Sequence, residues 1–148
     1  MLCRVHVPGG SDYARSLWPE YFDAVDAVVF LVDCNDRERI GEAKEELDKL
    51  LNNDKLAGVP FLVLGTKTDR PLTCLSAELR QALQLESRLT GKGEEFGDPT
   101  RNDIPRGVRP VKRSDIPGGM RPMELFMVSA FKQQSYMEGF QWLAQYIA

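Results

Sequence analysis

The sequence is poor in several things at once. Among its 148 residues there is one histidine, His6, and there are three cysteines, Cys3, Cys34 and Cys74. The cysteines are odd in number, spaced about 30 to 40 residues apart and without a CxxC pair, so neither a disulfide framework nor a zinc site is encoded. A reducing, intracellular setting is the expectation. No apolar run approaches the roughly 20 residues that span a bilayer, and the opening MLCRVHVPGG lacks the apolar stretch of a secretory signal. The chain is therefore expected to be soluble. The formal net charge is only −3, so nothing demands nucleic acid or a polyanion as partner. His6 has no Ser or Cys partner in a recognisable motif and reads as structural.

What the sequence does contain is an alternation of two periods. DAVVFLVDC, at 26–34, is a continuous β-branched and aromatic run, as expected of a strand covered on both faces. From Asp36 onward Ile40, Ala43, Leu47, Leu50 and Leu51 fall on one helical stripe, with Asn35 or Asp36 available as cap. VPFLVL at 59–64 is a second short strand. Ser76 is placed to cap a helix with Leu79, Leu83 and Ala82 on its apolar face. MELFMV at 123–128 is a third strand, and Tyr136, Phe140, Leu143 and Ile147 form the stripe of a last helix. Strand-helix repeated three times predicts an α/β domain with a mainly parallel sheet. Right-handed crossovers would put all strand carboxyl ends on one rim, where ligands of open α/β sheets bind.

Polar residues collect at that rim. Asp33 follows the first strand, Gly65-Thr66-Lys67-Thr68-Asp69 the second and Ser129-Ala130-Phe131 the third. A rigid carboxylate can accept from both the N1–H and the exocyclic amine of guanine, whereas adenine offers no matching pair of donors. Asp69 suits that task. The stem of Lys67 can lie over the purine face with its ammonium in water, and the backbone N–H of Ala130 can meet the guanine keto oxygen. The simpler reading of Lys67 and Asp69 is a polar loop after a strand. Asp33 and Cys34 read as the end of a buried strand, with Cys34 inert. Trp18, Trp142, Phe22, Phe140 and Tyr146 read as packing residues.

These motifs carry a resemblance. TKTD (Thr66, Lys67, Asp69) resembles the guanine-specificity motif NKxD of Ras-like GTPases, and Ser129-Ala130 resembles their SA(K) motif. LWPEYFDAVDAVVFLVDCNDRERIGEAKEELDKLL, VPFLVLGTKTD and LFMVSAFKQQSYMEGFQWLAQYIA are similar to the Sar family, the small GTPases that start COPII coat assembly. The resemblance runs from about Gly9 to Ala148. It implies one partial small-GTPase domain over 1–148, with an incomplete Ras-like P-loop fold and a mainly parallel sheet lacking the P-loop strand and first helix. It implies GTP/GDP as ligand and Mg2+ as the family's metal. COPII coat proteins and exchange or activating factors are the implied partners. The implied place is the cytoplasmic surface of the endoplasmic reticulum; the family's amphipathic N-terminal membrane helix has no match in these residues, so peripheral membrane contact stays open and membrane attachment is not carried over. The helix holding Leu17-Trp18 belongs, in the family, to a partner-facing switch region.

The departures are as informative. Where the family has DxGGH, whose Asp serves the metal and whose His positions water, this chain has Val7-Pro8-Gly9-Gly10-Ser11. No GxxxxGK[ST] occurs in these residues, so the phosphate-gripping loop and switch Thr are lacking and catalysis by this chain alone is not expected. Thr66 replaces the common Asn, and a hydroxyl makes fewer bridging hydrogen bonds than an amide. The residues 3–7 would be a strand separated from 26–33 by a missing neighbour, so either the two close up or an apolar edge is exposed and invites self-association. Residues 90–120 hold six glycines and four prolines, with Arg101, Arg106, Arg109, Lys112 and Arg113 against Asp103. They read as a solvated loop, or as a basic patch meeting acidic headgroups or a coat partner. The alternative to a GTPase is a non-catalytic GTPase-like interaction module for coat or regulatory partners.

Overall fold

The structure, a computed structural model, describes residues 4–71, 73–96, 107–109, 111–118, 120–129 and 133–147. Three strands form one parallel sheet: β1 (Val28–Asp33), β2 (Phe61–Thr66) and, numbered in chain order, β5 (Met123–Met127), in the order β1-β2-β5. Between them lie α2 (Ile40–Leu51) and α3 (Ser76–Ala82), and α4 (Gln133–Ala144) follows β5. A short helix, α1 (Asp12–Ser16), and a 3-10 segment, Trp18–Ala24, precede β1. The predicted α/β order and parallel pairing are therefore formed. Val28 registers with Phe61 and Asp33 with Thr66, while Phe61 registers with Met123, so the three carboxyl ends share one rim.

β2 is buried from Phe61 to Gly65 because both of its faces are covered. On one side Phe61 and Val63 pack with Phe30, Val32, Leu125 and the helical residues Leu47, Leu50, Leu79 and Leu83. On the other, Leu62 and Leu64 pack with Phe126, Val128, Trp142 and Leu143. Double coverage is why the strand reads as an unbroken apolar run. Gly65 is required at its end: a Cβ there would lie 2.7 Å from Met127 Sδ and 2.9 Å from both Cys34 Sγ and Leu79 Cδ2.

Several local expectations are corrected. The stretch Arg4–Val7 forms no strand, and Val5 and Val7 are exposed; Cys3 lies outside the described residues. A strand needs a ladder partner, and the sheet leaves β1 as an edge with Leu31 60% exposed. Neither Asn35 nor Asp36 caps α2 with its side chain; a 3-10 turn, Arg37–Arg39, intervenes, and the Asn35 N–H donates to Asp33 Oδ1. Ser76 is inside α3 rather than its cap: Leu75 holds that position and its N–H donates to Glu78 Oε1. Ala82 is exposed, Leu85 being the buried residue beyond Leu83.

Phe140 is also misplaced by the sequence pattern, being 45% exposed. The buried side of α4 runs through Gly139, Trp142 and Leu143, with Tyr136 and Tyr146 alongside. Gly139 faces the sheet directly, since a Cβ there would be 3.4 Å from Leu62 Cδ1 and Leu64 Cδ2. Trp18 and Phe22 do pack on the core, Trp18 edge-on to Phe30 at 6.4 Å. His6 stacks against Tyr21 at 5.2 Å.

The 90–120 segment is not wholly irregular. Strands β3 (Glu94–Phe96) and β4 (Gly107–Arg109) pair antiparallel within it. Its root is fastened: Thr90 N–H donates to the Met123 carbonyl, Gly91 N–H to the buried Glu124 carboxylate and Trp142 Nε1–H to the Gly91 carbonyl. Of the residues that gave the segment its basic reading, Arg101 and Arg106 lie outside the described residues.

Candidate functional site

The site lies where β2 ends between β1 and β5. Its residues turn sharply there, because Lys67 has a left-handed backbone, φ 60°, which a side-chain-bearing residue adopts at a cost of about 1–3 kcal/mol. Two bonds then fold the turn onto the end of β5: Thr68 N–H and Thr68 Oγ1 both reach the Val128 carbonyl, at 3.4 and 3.0 Å. The next residue but one from Lys67 is thereby delivered to β5. Ser129 Oγ donates to Asp69 Oδ1 at 2.9 Å.

That bond is the centre of the arrangement. A carboxylate offers about four acceptor positions over two oxygens, so a single hydroxyl fixes the rotamer of Asp69 and leaves capacity for two further donors. Asp69 is exposed and Ser129 buried, which leaves the acceptor open toward solvent and its anchor rigid. The structure thus brings together Asp69 and Ser129 as the sequence required. Ala130, expected to offer its N–H to the keto oxygen, lies outside the described residues.

Thr66 and Lys67 are placed differently from the sequence expectation. The Thr66 hydroxyl gives its one proton to the Val32 carbonyl at 3.2 Å, tying β2 to β1. The Lys67 ammonium, expected free in water above a purine, instead lies 2.6 Å from Asp33 Oδ2. Partial burial by itself would push the Asp33 carboxyl up. The Lys67 ammonium and the N–H groups of Asn35 and Asp36 outweigh it and hold the carboxyl below its ordinary range. The sequence put Asp33 at the rim but read it only as the end of a buried strand; its pairing with Lys67 is what sequence reasoning missed. Its signal was available: with parallel neighbours, the last residue of one strand registers against the last of the next, here Asp33 with Thr66.

The residues present fit one end of a guanine nucleotide. Asp69 has the right charge, exposure and fixation to read a base carrying two adjacent donors. For the phosphates and Mg2+ these 148 residues hold no GxxxxGK[ST] stretch, and no group of three or more His, Cys, Asp or Glu residues gathers among the described residues. No helix among the described residues is long and apolar enough to cross a membrane.

A parallel α/β sheet with TKTD and Ser129 at adjacent strand ends defines a Ras-like small-GTPase fold, present here in part. Comparison agrees: the sequence profile of the ADP-ribosylation factor family matches residues 4–147. The chain belongs to the ADP-ribosylation factor family, and its similarity inside that family is to the Sar small GTPases. The small COPII coat GTPase SAR1 of Giardia intestinalis is 34% identical over 139 residues, covering 94% of this chain and 63% of the relative. SAR1 of Nicotiana tabacum is 36% identical over 143 residues, covering 94% and 64%. The chain thus spans somewhat under two thirds of the length of these relatives.

Proposed function

We propose that this chain supplies the base-reading half of a Sar-type small GTP-binding protein, acting in COPII-type vesicle transport at the endoplasmic reticulum surface. The observation that carries the reading is the Ser129–Asp69 hydrogen bond, which holds an exposed carboxylate at the strand-end rim and supports its use as a reader of guanine. Thr66, Lys67 and, by its place in the SA motif, Ala130 complete the proposed site, with GTP or GDP as ligand. Mg2+ would come with the triphosphate, and its ligands are not matched in these residues. COPII coat proteins are the partners that the names of the relatives suggest, and exchange or activating factors are those that the family resemblance implies.

Magnitudes limit what this half achieves by itself. Two charge-assisted hydrogen bonds at about 1.5–3 kcal/mol each give roughly 3–6 kcal/mol gross. A millimolar dissociation constant already corresponds to about 4 kcal/mol. Binding near millimolar or weaker is therefore expected, and no hydrolysis, because phosphoryl transfer depends on positioning and charge at the phosphates.

Calorimetric titration with GDP and GTP plus magnesium, with ATP and Asp69→Ala as controls, tests the reading. Weak guanine-selective heat that vanishes in Asp69→Ala supports it. Equal response to ATP, or selectivity that survives Asp69→Ala, overturns it. Micromolar affinity would retain the base reader and overturn the affinity argument.

The exposed edge of β1 favours a second reading, a non-catalytic module that binds protein partners. Under that reading coat or regulatory proteins bind the chain equally well with and without guanine nucleotide.

A further inference from the structure

Cys34 and Cys74 meet in the fold although 40 positions separate them in sequence. Cys34 follows β1 directly, and Cys74 lies just before α3. The Cys74 N–H donates to the Cys34 carbonyl at 3.1 Å. Residues joined by such a backbone bond have Cα atoms about 5–6 Å apart, inside the roughly 4.4–6.8 Å that a disulfide spans. Both side chains are buried, at 0% and 2% exposure, and Cys74 is near enough to the Cys34 thiol to push it up, while that thiol itself points to the Val32 carbonyl at 3.9 Å. The inert reading of Cys34 fits its full burial; what the sequence did not show is that Cys74 lies beside it.

The two thiols differ in surroundings. Burial first, and then the Cys74 side chain, push the Cys34 thiol up to about 12, so Cys34 is a poor leading nucleophile. Cys74 instead lines a surface cavity of about 330 Å³ together with Arg37, Ile40, Gly41, Glu78 and Ala82. A peroxide is small enough to enter such a cavity. The bond would matter where it forms: Cys34 is adjacent to Asp33, the residue holding Lys67, and its N–H donates to the Thr66 carbonyl at 3.1 Å. Cys74 ends the segment that begins with Lys67 and Asp69.

We propose that Cys34 and Cys74 form a reversible, peroxide-driven disulfide that locks the segment after Asp69 to the end of β1. The Cys74 thiolate attacks one peroxide oxygen; the O–O bond breaks, Cys74 becomes a sulfenic acid and hydroxide leaves, taking up the proton that Cys74 had lost. Cys34 then displaces the sulfenic hydroxyl, which departs with the Cys34 proton as water. Two thiols and one hydrogen peroxide give one disulfide and two waters, the sulfur pair losing the two electrons that the peroxide gains. A thiol reductant reverses the bond, as expected of a sensing disulfide in a reducing setting.

The test uses the full chain carrying Cys3→Ser, so that only these two cysteines remain. After hydrogen peroxide treatment, unfolding under an alkylating agent and non-reducing peptide mapping, the peptides of Cys34 and Cys74 should be linked, with a mass loss of about 2 Da that dithiothreitol reverses. The melting temperature of the oxidised form should rise by about 5–10 °C. In Cys74→Ser both effects should vanish. Recovery of Cys34 as a free, alkylated thiol beside a sulfinic Cys74, or disulfides only between chains, overturns the proposal. Should Cys74→Ser fail to fold, the peptide map of the Cys3→Ser chain decides alone.

Discussion

The Lys67 ammonium is held 2.6 Å from Oδ2 of Asp33, across the ends of two neighbouring parallel strands. The pair ties the base-reading turn to β1, and its strength depends on pH. Because the carboxyl of Asp33 is held below its ordinary range in the folded chain, the pair's contribution is fully present above the unfolded value of about 4. It is lost as pH falls through the folded value. Both side chains are at least a third exposed, so the contribution is below about 1 kcal/mol. Urea unfolding of the parent and Asp33→Asn between pH 2 and 7 should show a stability difference at neutral pH that closes on acidification; a difference independent of pH would contradict the assignment.

Ser129→Ala should weaken guanine-nucleotide binding without abolishing selectivity. The Asp69 carboxylate remains but loses the donor that fixes its rotamer. Loss of one hydrogen bond corresponds to about 0.5–1.5 kcal/mol, or roughly 2–10-fold in dissociation constant. Titration followed by NMR chemical shifts measures changes in this weak range, and an unchanged affinity would show that the hydroxyl has no part in reading the base.

Gly65→Val should destabilise the fold by about 1–3 kcal/mol through overpacking. Its new side chain would meet Met127, Cys34 and Leu79 together, and Cys34 at the end of its short side chain has little room to yield. Thermal unfolding reads the cost. Gly41→Ala is the internal control, since a Cβ there meets nothing within 4 Å and the position is helical.

Arg121 clamps two backbone carbonyls. Its guanidinium donates to Leu51 at the end of α2, at 2.8 Å, and to Leu56 at 2.9 Å, and lies over the Phe61 ring. The Leu56 carbonyl also accepts from the Val59 N–H, so Arg121→Ala should cost about 1–3 kcal/mol chiefly by removing the donor to the Leu51 carbonyl. Hydrogen exchange should report the loss first as faster opening at the end of α2.

β1 is the edge of its sheet, and Leu31 is 60% exposed on it. Unpaired backbone beside an apolar side chain favours strand addition between copies. Sedimentation should show concentration-dependent association that Leu31→Lys reduces; a strict monomer at all concentrations would remove this expectation.

Much of the fold was legible because its signals are local. The β-branched runs gave all three strands of the main sheet to within about two residues, and the stripe of Ile40, Leu47 and Leu50 gave the buried face of α2. Boundaries and rotations were less legible. Phe140 was assigned inward because it is large and apolar, yet it is Gly139, with no side chain, that faces the sheet directly. The caps failed similarly: Asn35, Asp36 and Ser76 have the right chemistry, but the chain enters each helix at a different residue.

The sequence by itself determined the class of the protein, because Lys67, Asp69 and Ser129 sit at strand ends whose parallel order follows from the alternation of periods. The proposal that those residues read guanine also rests on sequence, since it depends on the chemistry of one carboxylate. Only the tertiary structure decided what each polar group touches. Asp33 meets Lys67 by strand register, Ser129 meets Asp69 by the turn after β2, and Cys34 meets Cys74 across 40 positions of sequence. Contacts of that kind depend on how separate segments cross in space, and no local periodicity records them.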